Sequence, residues 1–214
     1  MIQALPQLVT FDEFIEWYPE NSEHKYELHN GIIVEMPKPT GLHSQVSGFT
    51  YGKLFIEIER LQLPDFIPKE CVIKPRDNGG YEPDVIVLDK QQVFNNEPRW
   101  NKESIITRGD SVRLIVEVVS TNWSDDYALK LEEYESFGIS EYWIVDYLAL
   151  GGRRFIGNPK LPTISIYSLV EGEYQVNQFR DGDAAKQPLR ERLISPTFPE
   201  LNLTARQIFQ AGGV

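Results

Sequence analysis

Apolar residues recur along this chain with two different periods, and the switches between them mark out its elements. "TFDEFIEWY" opens on Thr10, a helix N-cap, with Glu13 placed to complete a capping box, and Pro19 stops the helix. "YELHNGIIVEM" is two short extended runs around His29-Asn30-Gly31, the pattern of a hairpin. In "HSQVSGFTYGKLFIEIERL", Val46, Phe49, Leu54, Ile58 and Leu61 form an imperfect helical stripe. "ECVIKP" and "DVIVLD" follow as strands, with the Gly- and Asn-rich Arg76 to Tyr81 segment between them as a turn.

"VRLIVEVVS" is a continuous β-branched run, as expected of a strand covered on both faces. Ser124 is suited to cap the next helix, Asp125 and Asp126 complement its positive first turn, and Gly138 ends it. "EYWIVDYLAL" reads as another central strand. From Pro159 the pattern turns antiparallel: "TISIYSLV", Glu171-Gly172-Glu173, then "YQVNQF", with a last short helix near Thr204 to Gln210. The whole predicts a mixed-sheet α/β core carrying β-hairpin additions. With no repeat or linker visible, 1–214 reads as one domain, its core about 26–147 and a C-terminal hairpin extension about 159–214.

Two charges interrupt these patterns. Glu117 sits inside Leu114-Ile115-Val116 and Val118-Val119, and Lys130 falls on the helix face formed by Tyr127, Leu131, Tyr134 and Phe137. Glu132, Glu133 and Ser136 form the opposite, wet side. Burying an unpaired ion costs several kcal/mol, so Glu117 and Lys130 need partners. A third charge, Asp84, stands at the start of "DVIVLD". If the strands of Asp84 and Glu117 pair, their carboxylates converge. At about 4 Å they repel by roughly 4 kcal/mol at an effective dielectric near 20. A divalent cation offsets that repulsion, and hard oxygen ligands select Mg²⁺ or Mn²⁺ over zinc. Two plainer readings stand beside this one: Asp84 bonded to backbone at a strand start, and Glu117 tied to Lys130 in a structural salt bridge.

The bulk numbers narrow the setting. At 214 residues and 41% hydrophobic, the chain can build a real core, and its single cysteine, Cys71, excludes an internal disulfide and fits a reducing cytoplasm. "MIQALPQLVT" lacks a basic n-region and is too short to span a bilayer, so a protein without a membrane anchor is expected. The net charge of −11 restricts contact with a polyanion to a local basic patch.

"EPDVIVLD" followed by "LIVEVVSTNWSDDYALKLEEYESFGISEYWIVD" resembles the Uma-type putative restriction endonucleases, a bacterial family of the PD-(D/E)XK nuclease superfamily. The Tyr26 hairpin and "PTGLHS" resemble the family's N-terminal half, so the likeness runs roughly from Tyr26 to Asp146. It implies a restriction-endonuclease-like mixed sheet flanked by helices. It also implies a metal-dependent endonuclease that hydrolyses DNA phosphodiester bonds, as a homodimer where both strands are cut. Asp84 matches the first acid of the superfamily motif and Glu117 the second, while Val119 occupies the usual lysine position. The Uma-type pattern instead carries its lysine on the following helix, where Lys130 stands. By the same resemblance Asp84, Glu117 and the Val118 carbonyl would hold Mg²⁺ or Mn²⁺. Glu27, His43, Asp126 and Tyr134 are candidate supporting residues, Asp126 by pairing with Lys130 one turn on. Ser120, Trp123 and Asp146 read as structural. Two alternatives remain beside the nuclease: an inactive nuclease-like module that binds nucleic acid or protein, which Val119 favours, and a metal-dependent hydrolase of another phosphoester.

Overall fold

The computed structural model describes residues 8–19, 22–181 and 192–214. The stretch Met1 to Gln7, most of the segment considered above as a leader, lies outside them. The elements run α1 (Phe11–Trp17), β1 (Lys25–His29), β2 (Ile32–Met36), α2 (Gly41–Leu61), β3 (Asp65–Phe66), β4 (Val72–Arg76), β5 (Gly79–Tyr81) and β6 (Val85–Asp89). They continue with α3 (Lys90–Asn96), α4 (Trp100–Glu103), β7 (Ile105–Ile106), β8 (Val112–Val118), a π-helical turn (Asp125–Leu129) and α5 (Lys130–Phe137). Last come β9 (Glu141–Asp146), α6 (Arg153–Ile156), β10 (Thr163–Val170), β11 (Glu173–Arg180) and α7 (Ala205–Ala211).

These strands form two sheets flanked by helices, as expected of a mixed α/β fold. The larger has the order β11-β10-β9-β8-β6-β3 and the smaller β2-β1-β5-β4-β7. In the larger sheet β8 is antiparallel to β6 and parallel to β9, so the ends of β8 and β9 lie together at one edge of the fold. The β6–β8 register pairs Val85 with Val116, and one step beyond it Asp84 falls opposite Glu117. The C-terminal hairpin joins this same sheet through β10 and β9, rather than standing apart as an appendage.

Strand alternation assigns the two faces. Val85, Val87, Leu114, Val116 and Val118 pack with Val46, Leu54 and Ile58 of α2 and with Ile208 and Phe209 of α7. Ile86, Leu88, Ile115 and Val119 face the other way, against Tyr127, Tyr134, and Ile73 and Tyr81 of the small sheet. Each fully buried side chain of this size contributes about 1.5–3 kcal/mol, which offsets the cost of the charges described below. The predicted helices at Thr10 and Thr204 both open with capping boxes, and Asn30 and Gly31 take the positive φ values of a tight hairpin turn.

Three local expectations are corrected. The turn read over Arg76 to Tyr81 shrinks to Asp77-Asn78, because Gly79–Tyr81 pairs with both β4 and β1. Those glycines serve close approach: a Cβ on Gly80 would lie 2.9 Å from the Phe11 ring, and one on Gly79 2.7 Å from Glu133. Ser124 caps nothing; it is already helical, and the turn is closed instead by Asp125 N–H donating to the Asn122 carbonyl at 2.9 Å. Glu133 is not on a wet face. It is buried, and Arg76 of β4 reaches over it at 2.6 Å, tying α5 to the small sheet.

Arg76→Ala therefore leaves a buried carboxylate without its cation, at an expected cost of about 2 kcal/mol in urea unfolding at pH 8. Burial already raises the Glu133 carboxyl. The variant's deficit should shrink toward pH 5 as that group takes up a proton, and a deficit that grows on acidification contradicts the assignment.

Candidate active site

Four segments meet at the end of β8. β6 delivers Asp84 just before its first residue, β8 delivers Glu117 and Val118 at its close, and β1 brings Glu27 in from the small sheet. The π-helical turn and the start of α5 contribute Asp126 and Lys130. Position 117 faces the same side as 115 and 119, the side over which the helix lies, so Glu117 points at the lysine. The π-helical turn carries one more residue per turn than an α-helix, with Lys130 N–H bonding to the Asp125 carbonyl.

Lys130 is 3% exposed and its Nζ stands 3.1 Å from Glu27 Oε1, 3.2 Å from Glu117 Oε1 and 3.7 Å from Asp126 Oδ1. Its charge also lies over the Tyr81 ring, 5.6 Å from the centroid. Tyr134 donates its hydroxyl to the same Glu117 oxygen at 2.9 Å. The salt bridge considered from sequence is present, then, but it is a four-membered cluster in which one ammonium serves three carboxylates. Burial alone would lower the Lys130 ammonium, yet Glu117, Glu27 and Asp126 hold it well above its ordinary value.

The carboxylates divide. Burial lifts Glu117 to about 7, with Asp84 and Glu27 adding to the rise against the pull of Lys130. Burial also carries Asp126 well above its usual range. Glu27 goes the other way: Lys130 and His29 outweigh its burial and hold it below the normal carboxylate range. His29 Nε2 sits 2.8 Å from Glu27 Oε2, while the Glu82 backbone N–H donates to Oε1 at 3.2 Å. Sequence reasoning missed His29. The available signal was its place two residues after Glu27 on one strand, which puts both side chains on the same face.

Asp84 is the most open acid of the group, 26% exposed at its side chain. Its Oδ2 accepts from the Val118 backbone N–H at 2.8 Å, so the backbone-bonded reading of this residue also holds. His43, at the start of α2, places Nε2 2.9 Å from the Val118 carbonyl and 3.3 Å from Asp84 Oδ2. Burial opposes its protonation, but Asp84 and the Val118 carbonyl outweigh that and raise it. Glu27, His43, Asp84, Glu117, Val118, Asp126 and Lys130 line one cleft of about 260 Å³, walled by Pro37 to Thr40 on one side and by Ser120 to Asn122, Leu148 and Leu150 on the other. Val119, the superfamily's lysine position, is buried core with its N–H on the Val145 carbonyl. Asp146 accepts from the N–H groups of Leu150 and Gly151 at 2.8 Å each, a structural role as read.

Among the described residues, no group of three or more His, Cys, Asp or Glu side chains is arranged to hold a metal ion. The donor chemistry nonetheless fits a hard dication. Glu27, Asp84, Glu117 and Asp126 bring four carboxylates against one lysine, and Asp84, Glu117 and the Val118 carbonyl are all oxygen donors lining the cleft. His43 holds two of the atoms such an ion would take.

The architecture is a nuclease-like one. It superposes on the crystal structure of a putative nuclease belonging to DUF820 from Anabaena variabilis with a TM-score of 0.67 at 19% identity, covering 95% of this chain and 99% of that one. Residues 11–206 match the family model Uma2, described as putative restriction endonuclease, and the chain belongs to that family. No curated protein matches it. No helix among the described residues is long and apolar enough to cross a membrane.

Lys130→Met keeps the stem and removes the charge, stranding the buried acids at a cost of about 3–5 kcal/mol at pH 8. Glu117 and Asp126 have raised carboxyls, so as pH falls the folded state takes up protons before the unfolded chain does. The loss should therefore shrink as pH falls through about 7, read by urea titrations at several pH values; a pH-independent loss contradicts the cluster.

Proposed function

We propose that this chain is a metal-dependent endonuclease that hydrolyses DNA phosphodiester bonds, with Asp84, Glu117 and Lys130 as its catalytic residues. The observation that carries the reading is the meeting of the Lys130 ammonium with Glu117, 3.2 Å apart, in a cleft that Asp84 also lines. Asp84, Glu117 and the Val118 carbonyl would hold Mg²⁺ or Mn²⁺, which supplies Lewis acidity and lowers the pKa of bound water. Lys130 stabilises the negative charge that develops on a phosphoryl oxygen in the transition state. Glu27, Asp126 and the Tyr134 hydroxyl keep Lys130 and Glu117 in place, so the ammonium needs no reorganisation when charge appears. His43, at the cleft wall on Asp84, orients that carboxylate. Cutting both strands of a duplex requires two such sites, which a homodimer provides.

Val119 supports a second reading, in which the same cleft binds nucleic acid without cutting it. Plasmid nicking decides between them. Wild type with Mg²⁺ or Mn²⁺ should convert supercoiled DNA to open circles, and Asp84→Asn should lose at least about 10³-fold in rate while melting within a few degrees of wild type. A wild type that never nicks, or an Asp84→Asn variant that nicks as fast, removes the catalytic reading.

Metal affinity should depend on pH with a definite sign. Burial lifts the Glu117 carboxyl to about 7, so a cation that binds below that pH displaces a proton from it. Mn²⁺ affinity measured by calorimetry should rise up to about tenfold per unit between pH 5.5 and 7 and flatten above. Glu117→Gln should reduce that slope, leaving the part that His43 contributes through Asp84 and the Val118 carbonyl.

A further inference from the structure

With a net charge of −11, any face of this protein that meets a polyanion must gather its cations locally, and the mouth of the cleft does so on both sides. On one wall Lys38 stands between Pro37 and Pro39, exposed, lining the cleft and in no ion pair among the described residues. On the other, α6 begins with Arg153 and Arg154, both exposed, and Lys160 donates to the carbonyl of Leu150, a cleft-wall residue, at 2.8 Å.

Aromatic contacts anchor α6 beside that wall. Phe155 stacks on Tyr127 with centroids 4.9 Å apart and meets Trp123 edge-on at 6.3 Å. Gly152 lies so close to Trp123 that a Cβ there would be 3.0 Å from the ring. Trp123 directly follows the lining residue Asn122, and Arg153 comes three residues after Leu150. Asp125, two residues after Trp123, accepts from Asn122 Nδ2 at 3.2 Å. Arg154 has its guanidinium over the Phe155 ring, 5.6 Å from the centroid, and neither arginine is in an ion pair among the described residues.

We propose that Lys38 on one lip and Arg153, Arg154 and Lys160 on the other form a phosphate-binding track, along which a nucleic-acid backbone crosses the cleft above Asp84. The proposal rests on the nuclease reading of the cleft and adds the residues that hold the substrate. Arginine's planar fork suits bidentate contact with phosphate, and lysine acts as a point charge. Contacts of this kind fix register without reading bases, so binding by the track is insensitive to sequence and steeply dependent on salt.

The test is fluorescence anisotropy with labelled duplex and single-stranded oligonucleotides in EDTA, from 50 to 200 mM salt. Full-length wild type is compared with Arg153→Gln/Arg154→Gln/Lys160→Gln and with a control, Lys90→Gln/Lys102→Gln. Lys90 lies at the opposite end of β6 from Asp84, and Lys102 lies on α4, whose Trp100 packs on Phe66 of β3, paired with that same end. Loss of three phosphate contacts should weaken binding about 100-fold near 100 mM salt and flatten the log–log salt slope by about 2.7 on duplex or 2.1 on single strand. The control should bind as wild type does. A triple variant within about threefold of wild type, or a control that loses as much, overturns the track. Wild type that binds neither probe overturns both the track and the nuclease reading. The expected loss of binding in a protein that never cuts under Mg²⁺ or Mn²⁺ leaves the track standing and removes only the hydrolysis.

Discussion

The buried ammonium of Lys130 is the constraint on which the rest of the structure depends. Taking an ion out of water costs several kcal/mol unless its partners come with it. Here the partners are Glu27 from the small sheet, Glu117 from the large sheet, and Asp126 from the π-helical turn. None of the four can be buried alone, so the hairpin, the central strand and the helix must take up their relation together. Tyr81 of β5 and Tyr134 of α5 seal the cluster from the small-sheet side and from within the helix. The Arg76 bridge to Glu133 fastens the same helix to β4 a turn farther along.

A lysine at position 119 would rise from the same sheet face as Glu117, but at that point β8 has ended, Val119 is buried and its N–H bonds to the Val145 carbonyl. A helix laid across that face reaches the same locus from above. The change of route has a chemical consequence. A strand-borne lysine two residues from its acid reaches along the sheet, whereas Lys130 drops into a socket of acids and is neutralised from three sides. Glu27, an auxiliary on the sequence, becomes a full member of that socket, and its own orientation is set by His29 and the Glu82 amide.

Much of this was legible in the sequence because single residues betrayed it. An acid in an apolar strand and a lysine on an aromatic helix face each violated the local pattern, and both violations were real. The capping box at Thr10, the Asn30-Gly31 turn, the antiparallel C-terminal run and the short last helix were equally plain, since their chemistry is local. What was hidden was non-local. Gly79 and Gly80 looked like a turn because glycine's permissiveness is visible, while the Glu133 carboxylate and the Phe11 ring that demand their missing Cβ atoms lie far away in sequence. Glu133 looked solvated because Arg76, which makes its burial tolerable, belongs to the other sheet. His29 looked like a turn residue for the same reason. The division of the strands into two sheets also depended on pairings, such as Leu28 with Gly80, that no periodicity records.

The π-helical turn deserves to be seen as a rotational setting. Each residue of an α-helix advances the chain by about 100°, so the one extra residue between Ser124 and Lys130 fixes which way everything beyond it points. Deleting a single residue there would regularise the helix, and on propensity alone that would be a gain. It would also swing Lys130, Glu133 and Tyr134 around the axis by a quarter turn or more, away from three carboxylates, an arginine and a strand that cannot follow. The local irregularity thus works as an indexing notch, and the chemistry of the cleft is registered to it.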